Sequence, residues 1–182
     1  MKRHLNQFAA ILPLLLVISC VTLSCAVKPH TAVSIDKLRD IEYVSDMASR
    51  GRFTMTDGAY TERIAPNSAS VLTVMLGEKY GFGDVDGDGD VDAAVVLISQ
   101  SGGSGTFYSL AVVTDNNGTL IHKDSAFLGD RVKIGSVSIE SGKITVGMIV
   151  QGPDDPMFRP TVDVTRTFSL TNGTLVEKIA CK

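Results

Sequence analysis

The chain has 182 residues, 44% of them hydrophobic and 20% charged, with a net charge of −3. This balance is enough for a packed core and excludes an intrinsically disordered polymer. With 17 basic residues against 20 acidic ones, the chain is a poor match for nucleic acid or anionic headgroups.

The first elements form a leader. Lys2, Arg3 and His4 give a basic start, and FAAILPLLLVIS then runs from Phe8 to Ser19 without a charge. VTLSCAV continues the apolar run. Pro13 and the shortness of the run argue against a permanent spanning helix, which needs about 20 apolar residues. Val17-Ile18-Ser19-Cys20 resembles the bacterial lipoprotein cleavage box. Thr22-Leu23-Ser24-Cys25 is a looser match, but the AVKPHTAVS after it is more tether-like. Residues 1–25 are therefore read as a lipoprotein-type signal peptide, with lipidation at Cys20 or Cys25. A plain secretory cut after Ala26 is the competing reading. The resemblance implies a lipid anchor in the bacterial cell envelope, periplasmic or on the outer surface. Without the leader, Lys plus Arg fall from 17 to 15 against 20 acidic residues, a net charge of −5. Membrane attachment would then rest on acyl chains and not on a basic patch. Cys181 has Cys25 as a disulfide partner only if Cys20 carries the lipid.

Residues 26–40 read as a tether. Within them SIDKLRD can start a short helix, with Ser34 as N-cap and Asp36 in the first turn. Residues 41–182 read as a single β-rich domain. Asp57-Gly58, Asn117-Gly118, Ser141-Gly142 and Asn172-Gly173 each separate two runs rich in β-branched residues. Such pairs tolerate the positive φ of tight hairpins. No long stretch has apolar residues at helical spacing. The expected fold is all-β: mainly antiparallel, sandwich- or barrel-like, with nine or ten strands and at most one short N-terminal helix. DAAVVLIS (92–99) is expected as a central strand, and GPDDPMFRP (152–160), with three prolines, as a loop. There is no internal repeat. The Asn-Gly-Thr triplets at Asn117 and Asn172 read as turns, not as glycosylation acceptors.

YGFGDVDGDGDVDAAVVL, residues 80–97, places Asp84, Asp86, Asp88, Asp90 and Asp92 at every second position. Ca²⁺ takes six to eight hard oxygen ligands, and a loop reading D-x-D-x-D-G supplies them by curling around the ion. Asp84, Asp86 and Asp88 take places one, three and five, with Gly89 at the turn. Asp90 offers its backbone carbonyl, and Asp92 ligates directly or through water. Place twelve of an EF-hand, a glutamate there, is Val95 here, which excludes an ordinary EF-hand. The competing reading is a solvated turn, since Asp-Gly pairs are common in turns. Phe82-Gly83-Asp84-Val85-Asp86-Gly87-Asp88-Gly89 with Asp92 resembles the calcium loops of FG-GAP and integrin-type β-propeller repeats. A propeller needs several copies and this chain has one, so the resemblance covers the loop alone.

A broader resemblance runs from about Tyr43 to Leu170. TDGAYTE, APNSAS, GDVDGDGDVDAAVVL, GGSGTFYSLAVV, LGDRVKI and PDDPMFRPTVDVTRTFSL follow the order of an uncharacterised domain of bacterial secreted proteins and lipoproteins. This implies fold and location, and no activity. Some relatives carry two cysteines where this chain has Met157-Phe158-Arg159-Pro160, so any role of that pair does not transfer.

Catalytic signatures are weak. GGSGT (102–106) lacks the lysine of a phosphate loop and leads into a strand. His30 falls in the tether, and His122 reads as a half-exposed residue on an alternating strand. Glu62, Glu78 and Glu140 have no motif around them. No catalytic residue is assigned. The expected function is a lipid-anchored, non-enzymatic binding or structural module, with an envelope protein or glycan as partner and a calcium-stabilised loop. The alternative is an envelope hydrolase whose site is invisible in one sequence.

Overall fold

The computed structural model describes residues 33–156 and 159–178. The leader, Cys20, Cys25, His30, Met157, Phe158 and Cys181 lie outside the described residues. Among the described residues one short helix, α1 (Ile35–Leu38), is followed by eleven strands, against the nine or ten expected. These are β1 (Glu42–Val44), β2 (Arg52–Thr54), β3 (Ala59–Arg63), β4 (Val71–Gly83), β5 (Asp92–Gln100) and β6 (Phe107–Asn116). They continue with β7 (Thr119–Asp130), β8 (Lys133–Glu140), β9 (Lys143–Val150), β10 (Val162–Thr171) and β11 (Thr174–Lys178). Every pairing between them is antiparallel. The domain is all-β, as the turn signals imply.

Each of the four turn pairs has positive φ at both of its residues, as the short hairpin turn requires. Asn117-Gly118 joins β6 to β7 across the pair Asn116–Thr119. Ser141-Gly142 joins β8 to β9 across Glu140–Lys143, and Asn172-Gly173 joins β10 to β11 across Thr171–Thr174. Asp57-Gly58 behaves differently. It closes one bridge, Thr56–Ala59, after which β2 turns to β1 and β3 turns to β4.

The strands form a five-stranded sheet, β3-β4-β5-β6-β7, a four-stranded sheet, β11-β10-β9-β8, and the pair β1-β2. β4 lies against β8 and β7 against β11, so the four-stranded sheet closes over one face of the larger one. Ala94, Val96, Leu110 and Val112 fill that interior with Ile144, Val146, Met148 and Phe168. The opposite face carries Ala93, Val95, Leu97, Ala111 and Val113. It is covered by Leu38 of α1, Tyr43 and Phe53 of the β1-β2 pair, and Met55 just after β2. Successive residues of a strand point to opposite faces. A strand buried on both faces has little room for polar side chains, which is why the middles of β5 (93–98) and β6 (110–113) read as continuous hydrophobic runs.

Residues 33–40, expected in the tether, belong to the domain. Leu38 is fully buried, and its carbonyl accepts the buried Tyr43 hydroxyl at 2.9 Å. Ser34 stands at the N-cap in extended conformation but makes no side-chain cap bond. Four residues are too few for helix propensity to hold a helix, so packing of Leu38 does so.

The interior closes at two seams. At one, Arg166 donates a bidentate pair to Glu177, at 2.7 and 2.6 Å, and also reaches the Phe127 carbonyl of β7 at 2.8 Å. Its guanidinium lies 5.0 Å from the Phe168 ring centre. At the other seam β4 crosses β8 so closely that side chains do not fit. A Cβ at Gly83 would stand 2.8 Å from Ile139 Cγ2 and 2.9 Å from Ile139 Cβ. β4 reaches this crossing through an irregularity between Leu76 and Tyr80, where Gly77, Glu78 and Lys79 oppose Val96 alone. Such bulges bend a strand and re-aim it. Gly83→Ala is therefore expected to destabilise the domain by about 1–3 kcal/mol, the usual cost of overpacking. Urea denaturation measures this, and adding Ile139→Ala to the same chain is expected to recover part of the loss. Equal midpoints for wild type and Gly83→Ala would show that the seam has slack.

Candidate metal centre

The loop between β4 and β5 starts and ends at the pair Gly83–Asp92. Its anchor is Val85, which is 4% exposed and packs into the interior between the two sheets. From there the chain curls on its own carboxylates. Asp84 accepts the amides of Gly87 at 2.6 Å and Gly89 at 3.1 Å. Asp86 accepts Asp88 N–H at 3.3 Å, and Asp88 accepts Asp90 N–H at 2.8 Å. Gly87 and Gly89 take φ of 86° and 89°, where a side chain is strained. The alternating Asp-Gly pattern is thus the chemistry of a tight coil whose side chains cap its own backbone.

This coil brings Asp84, Asp86 and Asp88 together, with one carboxylate oxygen of each within 4.8 Å of the others. Three like charges this close repel, by about 1 kcal/mol per pair at 4 Å in water and more where water is excluded. The donors are all carboxylate oxygen. Such a set suits a hard divalent cation and not the nitrogen- and sulfur-seeking metals. The group can hold a metal ion.

Asp92 stands apart from that group. Its residue is fully buried, and its carboxylate accepts Val85 N–H at 2.8 Å and Asp115 N–H at 3.0 Å. Asp115, 3% exposed, in turn accepts the Gly118 amide in the β6–β7 turn. Burial raises the Asp92 pKa above the usual carboxylate value. The two backbone bonds oppose that shift, and the charges of Asp86 and Asp88 add to it. The sequence spacing makes Asp92 a fifth member of the ligand set. The structure makes it a brace between the loop and β6. Asp90 lies in the coil as a half-buried residue whose amide is taken by Asp88.

The other candidates resolve into structural roles. Serine 104 of the GGSGT loop gives its carbonyl to Arg131 at 2.6 Å, and Asp130 accepts the Thr106 amide at 2.8 Å. The β7–β8 turn thus clasps this loop. Glu62 accepts the Ser49 amide at 2.7 Å, the Ser49 hydroxyl at 2.9 Å and the Tyr60 hydroxyl at 2.8 Å. Glu140 flanks the β8–β9 turn, and Glu78 lies exposed in the β4 bulge.

His122 is half-exposed, as its strand pattern suggests, but both ring nitrogens are held by partners. Its Nδ1 accepts the Val44 amide at 3.1 Å, and its Nε2 lies 2.9 Å from Ser125 Oγ. A serine beside a histidine invites a hydrolase reading. Catalysis would need Nε2 free to take the serine proton, with the ring's own proton on Nδ1. Here Nδ1 is an acceptor, so the neutral ring carries its proton on Nε2 and donates it to Ser125. The pair is set the wrong way round to activate that serine. Sequence alone has no signal for this, because Val44 is 78 residues away.

The chain matches no family model, no curated protein and no solved structure.

Proposed function

We propose that this protein is a lipid-anchored, non-enzymatic module of the bacterial cell envelope, whose acidic loop binds one Ca²⁺. The observation that supports the calcium reading is the convergence of the Asp84, Asp86 and Asp88 carboxylates in a coil already curled by its own backbone bonds. A curled coil lowers the ordering cost of binding, and hard oxygen donors favour Ca²⁺ over transition metals. Asp90 would add its carbonyl. The ion's part is to neutralise the three charges, and it supplies no chemistry to a substrate. Affinity in the range of extracellular modules, about 10⁻⁴ to 10⁻³ M, suits such a site.

The anchor reading rests on the Val17-Ile18-Ser19-Cys20 box at the end of a basic, then apolar, leader. Among the described residues no helix is long and apolar enough to cross a membrane. The partner is proposed to be an envelope protein or glycan. The His122–Ser125 pair does not support the hydrolase alternative, because the proton of His122 is committed to Ser125.

Metabolic labelling with a fatty-acid analogue in a bacterial host tests the anchor. The wild-type chain is expected to take up label, and the chain with Cys20→Ser and Cys25→Ser together to take up none. Label that persists in the double variant would overturn it, as would an unlabelled wild type. A pull-down from envelope extract, with calcium and with EDTA, then asks whether partner capture depends on the ion.

A further inference from the structure

The β1-β2 pair forms a flap over the outer face of the five-stranded sheet. Between the end of β1, the segment after it and β7 lies a cavity of about 350 Å³. Val74 and Leu97 form its floor, Ser99 and His122 its walls, and Met47 and Phe127 its rim. Val44 is the last residue of β1, and the hydrogen bond its N–H donates to His122 Nδ1 ties the strand to β7 at the cavity edge.

The ring has only one way to hold this bond. Nδ1 must be unprotonated to accept the Val44 N–H, so the single proton of the neutral ring sits on Nε2 and goes to Ser125. The Tyr43 ring packs on the imidazole with centroids 5.4 Å apart. A second proton has only Nδ1 to occupy, and it would point at the Val44 N–H. An attraction then becomes a repulsion between two donors.

The charged groups around the ring are few. Asp124 and Lys123 come from β7 itself, and Asp46 from the segment after β1. Tyr43, from β1, gives its hydroxyl to the Leu38 carbonyl. The β6 neighbour of His122 is Val113, which carries no charge. Asp124 favours the protonated ring through its charge and through its backbone, while its carboxylate oxygens accept the amides of Ser125 at 2.8 Å and Leu175 at 2.7 Å.

We propose that His122 is a proton-operated latch: neutral, it ties the end of β1 to β7 beside the half-open cavity; protonated on both nitrogens, it releases Val44 and widens the cavity.

The direction of the ring's titration agrees. Burial holds the His122 pKa below the usual histidine value, against the pull of Asp124. A group whose folded pKa is depressed in this sense resists protonation in the folded state. The latch is fully set above the unfolded value of about 6.5, and its contribution is lost as pH falls below that.

The test uses the full chain in detergent, labelled with ¹⁵N. At about pH 7.5 the His122 signals are expected to report the Nε2–H tautomer and Val44 to be protected from hydrogen exchange. As pH is lowered through the titration of the His122 ring signals, Val44 is expected to lose protection in step with them, while Val112 in the sheet centre keeps it. An apolar dye that fluoresces on binding exposed hydrophobic surface is expected to brighten over the same range. His122→Asn, whose amide oxygen replaces Nδ1 as acceptor and does not titrate, is expected to protect Val44 equally across that range. An Nδ1–H tautomer at neutral pH, unchanged Val44 protection in acid, or an equal loss in His122→Asn would each overturn the latch. The first two readouts need no variant, so they decide even if His122→Asn fails to fold.

Discussion

Millimolar calcium is expected to raise the melting midpoint of the wild-type protein relative to EDTA. An ion that binds the folded loop and not the open chain stabilises by mass action. At the affinity proposed above, about 1 mM calcium is roughly 1–10 times the dissociation constant, a gain of about 0.4–1.4 kcal/mol. A domain of this size moves by roughly 2–4 °C per kcal/mol, so the shift is on the order of 1–6 °C. Asp88→Ala is expected to remove most of it, because Asp88 is one of the three converging carboxylates. Asp90→Ala is expected to remove little, because only its backbone carbonyl is assigned to the ion. Thermal melts of the three proteins in EDTA and in calcium measure this. An unmoved wild-type midpoint, or an equal gain in Asp88→Ala, would reduce the coil to an acidic turn.

Asp92→Ala is expected to act differently and to show its effect without any ion. It removes the acceptor of two buried amides, those of Val85 and Asp115. A buried donor left without a partner costs about 1–3 kcal/mol. Two of them put the loss in EDTA at roughly 2–6 kcal/mol, less whatever is regained by removing a buried charge. Denaturant midpoints in EDTA separate the two roles of this residue. If Asp92→Ala unfolds like wild type in EDTA but has lost the calcium response, Asp92 is a ligand and the brace reading fails.

These two aspartates mark how far the sequence can be read. The D-x-D-x-D-G spacing is a local signal, and the convergence of Asp84, Asp86 and Asp88 is a local event within five residues. The hairpins at Asn117-Gly118, Ser141-Gly142 and Asn172-Gly173 are legible for the same reason: the turn itself demands the residue. β5 is legible because burial on both faces leaves no polar position in its middle. What the sequence does not show is closure. Asp92 meets Asp115, His122 meets Val44 and Arg166 meets Phe127 only after distant strands have come together. The tether boundary fails similarly, because Leu38 has no helical stripe around it and is held by Tyr43 and the sheet. One signal was available and informative. Gly81 and Gly83 share a face of β4, and glycines at alternate positions of a strand mark a close crossing.

The burial of β5 on both faces also bears on the chain before it folds. AAVVLI (93–98) is apolar, uncharged and largely β-branched, the composition that stacks into intermolecular cross-β assemblies. In the native domain β4 and β6 flank it and leave it no free edge. In an unfolded chain nothing shields it except what precedes it in sequence, and that is five aspartates in nine residues. In-register stacking of this segment between molecules would stack those charges too, and the repulsion grows with each added copy. The acidic run thus also guards the nascent chain against aggregation. A cation that binds only the folded loop leaves that guard in place until β5 is paired.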